Sequence, residues 1–450
     1  MKKVLALVAA STLLATSAMA DEPVMSKFKM TIGGYVKLDY AYNSDNLGAS
    51  GIITPGGGGL SAALATKAGA SQQEQSILGM KQSRLFLKID GPAFYGAKTG
   101  GLIEGDFYGN NGIAQESPQF RMRLAYGTID WKNTSILFGQ YWDMFAPMVA
   151  STQDFRSGAT TGAPNNPRSP MIKLTQRVDL NADNQLQFVV GVTDPSYYGD
   201  NTNVESSNLG GFGPTVSYGA SLAYAAQMFY TTKSLGVAPG YFGLSNQPFK
   251  IGLFGQYGNE HLKAANTRTV DSWGYGAYLF SPILKSSDGK SRVMTMSFEG
   301  QVYEAANMNY NGATAASFAN AGVAAPNTTP AGGPTQAQVL AGIMPRKDLA
   351  FATQLIFYPT QDLGLTAGFG DRIAANKAAD MGATIYQKYN QQIYFNVAYD
   401  LNAAVRVAAE YQNLEAGFNN MLSNSSTAVQ MGERALASVN IGRLCVYYFF

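Results

Sequence analysis

Apolar and polar side chains alternate along most of the chain with a period of two residues. In a typical stretch, 120–127, four apolar residues share one face, and Arg121 and Arg123 lie on the other. This period is that of a β-strand, in which successive side chains point to opposite faces. The pattern begins at residue 28, ends with a strand over 434–450, and predicts an all-β chain of about sixteen strands.

The predicted strands are joined alternately by short turns and long loops. Residues 131–134 and 401–402 form short turns, whereas 43–79 and 305–348 form long loops rich in Gly, Ala and Ser or Thr. An even strand number with this alternation is typical of a transmembrane antiparallel β-barrel and rare in soluble sandwiches. In such a barrel the apolar faces point outward to lipid, and the first and last strands pair because lipid tolerates no open sheet edge.

Composition supports a barrel in a membrane. Hydrophobic residues make up 46% of the chain and charged residues only 14%, against about 25% charged in an average soluble domain. After residue 20 there is no apolar run close to the ~18 residues that a membrane helix needs. Tyr and Trp cluster near strand ends, as expected for belts at the membrane surfaces. The chain is therefore expected to cross the membrane with strands.

The first twenty residues have the pattern of a secretory signal peptide. Lys2 and Lys3 precede an apolar run from Val4 to Leu14, and small residues stand before Asp21. We therefore predict a signal peptide over 1–20 and a single barrel domain over 21–450. Removing the two lysines takes the formal charge from +2 to zero, which excludes nucleic acid as an expected partner.

Reactive side chains are scarce. Cys445 is the one cysteine and His261 the one histidine of the sequence. This excludes an internal disulfide and most metal and acid-base constellations. We expect no cofactor, no metal site and no enzymatic activity.

Several short motifs spread over the mature chain carry a family resemblance. They are Gly34-Tyr35-Val36-Lys37-Leu38-Asp39, Ser83-Arg84-Leu85, Glu104-Gly105-Asp106-Phe107-Tyr108-Gly109, Arg121 to Tyr126, Phe138-Gly139-Gln140, and the ending Leu444-Cys445-Val446-Tyr447-Tyr448-Phe449-Phe450. As a set they resemble the Gram-negative outer-membrane trimeric porins, and within these the DcaP-like porin family. The resemblance spans the mature length of the chain.

The resemblance implies a location, an assembly and a role for one loop. It implies that residues 143–170, a segment of irregular sequence, are the third extracellular loop, which folds into the barrel and narrows it. It also implies a homotrimer in the outer membrane of a Gram-negative bacterium, in contact with lipid and lipopolysaccharide. The terminal aromatic residue Phe450 would be read by the barrel-assembly machinery.

The inserted loop and the wall that faces it are expected to form a pore constriction. A barrel of sixteen strands encloses water, and rings of fixed charge in a narrow passage set ion preference. Strand direction brings the basic wall residues to the depth of the loop. The predicted constriction residues are Lys37, Arg84, Arg121, Arg123 and Lys173 on the wall and Asp143, Asp154, Arg156 and Arg168 on the loop.

The sequence thus predicts a water-filled channel for passive diffusion of small hydrophilic solutes and ions, with a weak anion preference. Three alternatives stay open. The arginines could serve only to anchor the loop by ion pairs. The channel could be specific for one substrate class, for example small carboxylates. The barrel could also sheathe an electron-transfer cytochrome, although an inserted loop would occupy the space that a cytochrome needs.

Overall fold

The computed structural model describes most of residues 28–450. The described residues are 28–44, 74–109, 118–154, 161–164, 168–194, 217–219, 222–262, 269–308, 312–314, 319–320, 343–377, 386–419 and 435–450. The predicted signal peptide and most of the predicted 305–348 loop lie outside these residues.

Strands make up nearly all of the regular structure. The first ten are β1 (Lys29–Asn43), β2 (Gln75–Gly79), β3 (Arg84–Asp90), β4 (Lys98–Asp106), β5 (Arg121–Asp130), β6 (Thr134–Trp142), β7 (Arg168–Asp179), β8 (Asn184–Thr193), β9 (Ser217–Gly219) and β10 (Ala223–Pro239). The others are β11 (Asn246–Leu262), β12 (Thr269–Leu284), β13 (Thr295–Ala306), β14 (Ala319–Asn320), β15 (Ile343–Met344), β16 (Lys347–Tyr358), β17 (Leu363–Ala374), β18 (Tyr386–Asp400), β19 (Val405–Asn419) and β20 (Ala435–Phe449). A 3₁₀ turn, Tyr241–Gly243, joins β10 to β11.

Eighteen of the described strands form one antiparallel sheet, while β14 and β15 pair only with each other. Strands β2 and β3 both pair with β1, one with its second half and one with its first. Strands β9 and β10 likewise both pair with β11. Each of these couples fills one position in the wall. The sheet is therefore a barrel of sixteen positions, as the sequence predicts.

The barrel is closed by its first and last strands. Strand β1 pairs with β20 from Tyr35 opposite Phe449 to Asn43 opposite Ile441. The backbone of Phe450 also exchanges two hydrogen bonds with Gly34. Each of the sixteen wall positions therefore has a hydrogen-bonded neighbour on both sides among the described residues. A closed wall of this kind meets the requirement that backbone groups in hydrocarbon be paired.

Polarity is inverted relative to a soluble protein. Along β1, Val36 and Leu38 are 52% and 47% exposed on the outer face, whereas Lys37 between them is completely buried on the inner face. The same alternation of outward apolar and inward polar residues recurs in β20, where Leu444 and Val446 are exposed and Arg443 is buried. This confirms the predicted orientation.

Aromatic residues form a belt on the outer face near the loop end. Several of their hydroxyls donate to polar groups on neighbouring strands: Tyr257 to Asp271, Tyr275 to Glu304 and Tyr411 to Asn440. The apolar ring meets the hydrocarbon edge and the hydroxyl meets the polar layer, which is where Tyr is favoured.

Among the described residues, no helix has the length and hydropathy needed to cross a membrane.

Two local predictions are wrong. The alternating pattern stops over residues 231–247 and so predicts a turn longer than its counterparts there, but β10 continues to Pro239 and β11 begins at Asn246. The two strands stay paired to the short-turn end of the barrel through an irregular register between Thr232 and Val237. Beyond the lipid, side chains are no longer required to alternate between apolar and polar. Strand β2 was also missed, because it lies within the predicted 43–79 loop.

Candidate functional site

The segment that follows β6 lies inside the barrel. Polar side chains of the opposite wall accept hydrogen bonds from its backbone: Gln301 from Met148 (3.0 Å), Gln354 from Ser151 (2.9 Å) and Glu410 from Gln153 (2.6 Å). Farther along, Gln392 accepts from the backbone N–H of Thr161 (3.2 Å). The predicted inward fold of this loop is therefore present. The described residues of the inserted loop are 143–154 and 161–164. Strand β7 begins at Arg168, within the predicted 143–170 segment.

One side of the inserted loop is held by apolar packing. Phe145 and Met148 are buried against wall residues of β10 to β13, whose rings fill this part of the barrel. The wall residues of this cluster include Phe229, Phe254, Tyr278, Phe280 and Tyr303. The inner faces of the strands were expected to be polar, but along β10–β13 they carry this buried apolar cluster. Any passage is therefore displaced away from β10–β13, toward the wall of β3–β5.

The other side of the loop is held by a buried charge network. Lys37 Nζ lies 2.7 Å from Asp39 Oδ1 and donates to Gln82 Oε1 (2.6 Å). Gln82 in turn donates to Asp154 Oδ1 (2.7 Å), and Arg443 Nη2 lies 3.0 Å from Asp154 Oδ2. All five side chains are buried. Asp154 thus accepts a hydrogen bond from Gln82 and forms an ion pair with Arg443, and the sequence analysis named neither of these wall residues.

Gln82 reaches this network because the wall is interrupted. Residues 80–83 separate β2 from β3, and Lys81, Gln82 and Ser83 are buried there. The backbone N–H of Lys37 donates to Ser83 Oγ (2.9 Å) in place of a ladder partner. The break turns a short polar segment into the lumen, and no pattern in the sequence marks it.

A second charged group, here called the arginine strip, runs along β3 to β5. Its members are Arg84, Glu104, Asp106, Arg121 and Arg123. Arg123 lies 2.8 Å from both Glu104 and Asp106, and Arg121 makes a bidentate pair with Asp106 (3.0 and 2.7 Å). Arg84 Nη1 is 4.0 Å from Glu104 Oε1. The partners of these arginines are therefore acids of β4, not the loop carboxylates.

A β-bulge aims Arg123 into the interior. The register steps from Glu104 opposite Leu124 to Gly105 opposite Met122, so that Arg123 is the extra residue. Arg123 and Leu124 are consequently both buried, although strict alternation placed Leu124 outward. Bulges often re-aim side chains next to functional sites.

The remaining predicted constriction residues, Lys173, Arg168, Asp143 and Arg156, are not members of the arginine strip. Lys173 Nζ lies 4.3 Å from the centre of the Tyr141 ring, and Arg168 lies over Trp142 at 5.3 Å. Arg123 approaches the same tryptophan ring at 5.3 Å. Asp143 accepts from the backbone of Phe145 (3.1 Å) and so fixes the start of the loop. Arg156 lies outside the described residues.

A cavity of about 640 Å³ opens at the short-turn end of the barrel. Its walls combine guanidinium groups with aromatic rings and include Tyr35, Arg84, Tyr241, Arg292, Arg406 and Tyr447. Burial raises the pKa of Tyr241 to about 12, so its hydroxyl stays protonated near neutral pH. Arg84 belongs both to this cavity and to the arginine strip, and it joins the two.

Among the described residues there is no group of three or more His, Cys, Asp or Glu side chains that could hold a metal ion.

By sequence alone the chain matches no protein-family model and no curated protein. Solved structures with a similar fold include two outer-membrane proteins. The outer membrane channel DcaP of Acinetobacter baumannii is 17% identical with a TM-score of 0.62, covering 96% of this chain and 100% of its own. An anion-selective porin from Comamonas acidovorans is 11% identical with a TM-score of 0.51, covering 94% and 100%. The chain therefore has the barrel fold of these outer-membrane proteins.

Proposed function

We propose that the protein is an outer-membrane porin, a water-filled channel for passive diffusion of small hydrophilic solutes and ions. The observation that carries this proposal is the position of loop residues 143–154 and 161–164 inside a closed sixteen-position barrel. A barrel of this size leaves an aqueous lumen unless something fills it. Here the loop fills one side by packing on β10–β13 and leaves the charged wall of β3–β5 beside it.

The arginine strip supports a weak anion preference. Three guanidinium groups stand against two carboxylates, so the strip has a net charge of +1. Fixed charge at a narrow, partly dehydrated passage favours the counter-ion. One of the two proteins of similar fold is described as anion-selective, but the preference proposed here rests on the charges of this chain.

A substrate-selective channel is a second candidate. The displaced passage is bordered by aromatic rings and guanidinium groups, and Arg84 lies over the ring of Tyr35 at 5.8 Å. Such a lining can bind a small carboxylate rather than merely admit it. The inserted loop leaves no comparable support for a barrel that sheathes a cytochrome.

The surroundings of the channel follow from the same proposal. The apolar outer face and the tyrosine belt fit an outer membrane with lipid and lipopolysaccharide around the barrel. A homotrimer is proposed as the assembly, and the barrel-assembly machinery as the partner that reads Phe450.

Liposome swelling tests the proposal. Liposomes that contain the purified protein are placed in solutions of sugars, amino acids and dicarboxylates of increasing size. A general channel gives swelling rates that fall smoothly with size, and a selective channel favours one chemical class. Rates equal to those of protein-free liposomes for every solute would overturn the proposal.

A further inference from the structure

The turn between β10 and β11 differs in position from other short turns of the barrel. Residues 181–183 and 401–403 are exposed at the rim, whereas Phe242 is buried. The backbone N–H of Phe242 approaches Ser151 Oγ of the inserted loop at 3.4 Å. Residues 240–245, here called the inner turn, therefore reach up into the lumen until they meet the loop.

Contacts from three directions hold the inner turn in place. Ser297 of β13 donates to the backbone carbonyl of Pro239 (2.6 Å), and Arg292 Nη1 approaches the carbonyl of Gly243 (3.5 Å). The rings of Tyr241 and Phe242 contact each other edge to face, with centres 4.6 Å apart. The turn is thus braced by the wall, by the neighbouring turn and by the loop.

The backbone of the inner turn is unusual. Phe242 has φ +48° and Gly243 has φ +66°. Glycine adopts this left-handed region freely, but a bulky residue such as Phe rarely does. Backbone of this kind persists only where the surrounding structure imposes it, and such positions cluster at functional sites.

Tyr241 and Phe242 both line the 640 Å³ cavity, and so does Arg84 of the arginine strip. Tyr35, Arg406 and Tyr447 also line it. A solute that passes the loop beside Arg84 therefore enters a cavity whose wall includes Tyr241.

We infer that Tyr241 and Phe242 form a second constriction, on the short-turn side of the inserted loop, which directs permeating solutes past Arg84 into the cavity. The inference rests on the proposed channel function and adds a second determinant of its size limit. Two narrow sections in series both contribute resistance, so widening the inner one raises the current.

Single-channel recording of Tyr241→Ala with Phe242→Ala tests this directly. The expected result is a conductance roughly twofold above wild type, because removing two rings widens a section that limits flow. Leu180→Ala is the matched control, since Leu180 is an exposed apolar residue on another short turn. Equal conductance in the double variant and the wild type would overturn the second constriction.

A thiol-block experiment keeps the inference testable if the double variant does not fold. Ala403→Cys places a thiol in the cavity wall, and Ala182→Cys places one on an exposed turn away from it. A bulky thiol reagent added on the short-turn side is expected to lower the current through the first variant only. Equal effects on both would overturn the inference, whereas a wild type without any channel activity would overturn the proposed function instead.

Discussion

Replacing Arg121 and Arg123 of the arginine strip should reverse the ion preference of the channel. In Arg121→Met with Arg123→Met, one guanidinium group, Arg84, remains against Glu104 and Asp106. The net charge of the strip then changes from +1 to −1. Methionine keeps most of the side-chain volume, so the width of the passage changes little.

The size of the effect follows from Coulomb's law. An ion about 7 Å from a unit charge in water interacts with it by about 0.6 kcal/mol. A change of two charges shifts an anion and a cation by about 1.2 kcal/mol each, in opposite directions. At ~0.1 M salt, with a screening length of about 10 Å, roughly half of this ~2.4 kcal/mol difference survives. The anion-to-cation permeability ratio should therefore fall roughly tenfold.

The assay is the reversal potential in a planar bilayer with a potassium chloride gradient. Two control variants isolate the cause. Arg123→Met with Glu104→Gln removes one charge of each sign and should keep the wild-type potential. Lys88→Met with Lys98→Met removes two positive charges from the exposed short-turn end of β3 and β4 and should shift it much less. An unchanged potential in the double arginine variant, or an equal shift in the lysine control, would refute the reasoning.

Three further predictions concern stability. Asp154→Asn breaks the buried pair with Arg443 (3.0 Å) and should lower the free energy of unfolding by about 3–5 kcal/mol, measured in urea against wild type. Leu38→Arg places a charge on the lipid face at mid-strand and should lower the free energy of unfolding by about 2–4 kcal/mol in the same assay. An unfolding free energy equal to that of wild type would argue against a lipid face at Leu38. Backbone N–H groups of Ser291 and Lys290 lower the pKa of Asp288. The ionised carboxylate therefore stabilises the 285–294 turn fully at a pH above the ordinary pKa of an aspartate. The stability difference between wild type and Asp288→Asn should be present at pH 7 and vanish as pH falls through the lowered pKa; a constant difference across that range would contradict this.

The strands of the barrel wall could be predicted because lipid on one face and the lumen on the other make apolar and polar side chains alternate with a period of two residues. The predicted last strand, 434–450, matches β20 (Ala435–Phe449) almost residue for residue. The prediction failed where that constraint ends. At the rim, β10 and β11 extend beyond the lipid and their alternation is lost. Strand β2 lies next to a break whose inward path depends on contacts with Lys37 and Asp154.

The ion-pair partners in the interior could not be predicted from the sequence. Arg443 and Asp154 are 289 residues apart along the chain, and only the closure of the barrel brings β20 beside the loop. The bulge at Arg123 shifts the faces of β5 by one residue, so simple alternation misplaces Leu124. The inner turn escaped prediction because its role depends on where Phe242 meets Ser151 in space.

The most direct test of the whole account compares wild type with a variant in which residues 144–164 are replaced by a short Gly-Ser linker, in planar bilayers. Folded wild-type protein is expected to give discrete conductance steps and the shortened variant larger ones, because the inserted loop narrows an open barrel. A folded wild type that gives no steps, or a shortened variant with unchanged steps, would contradict it.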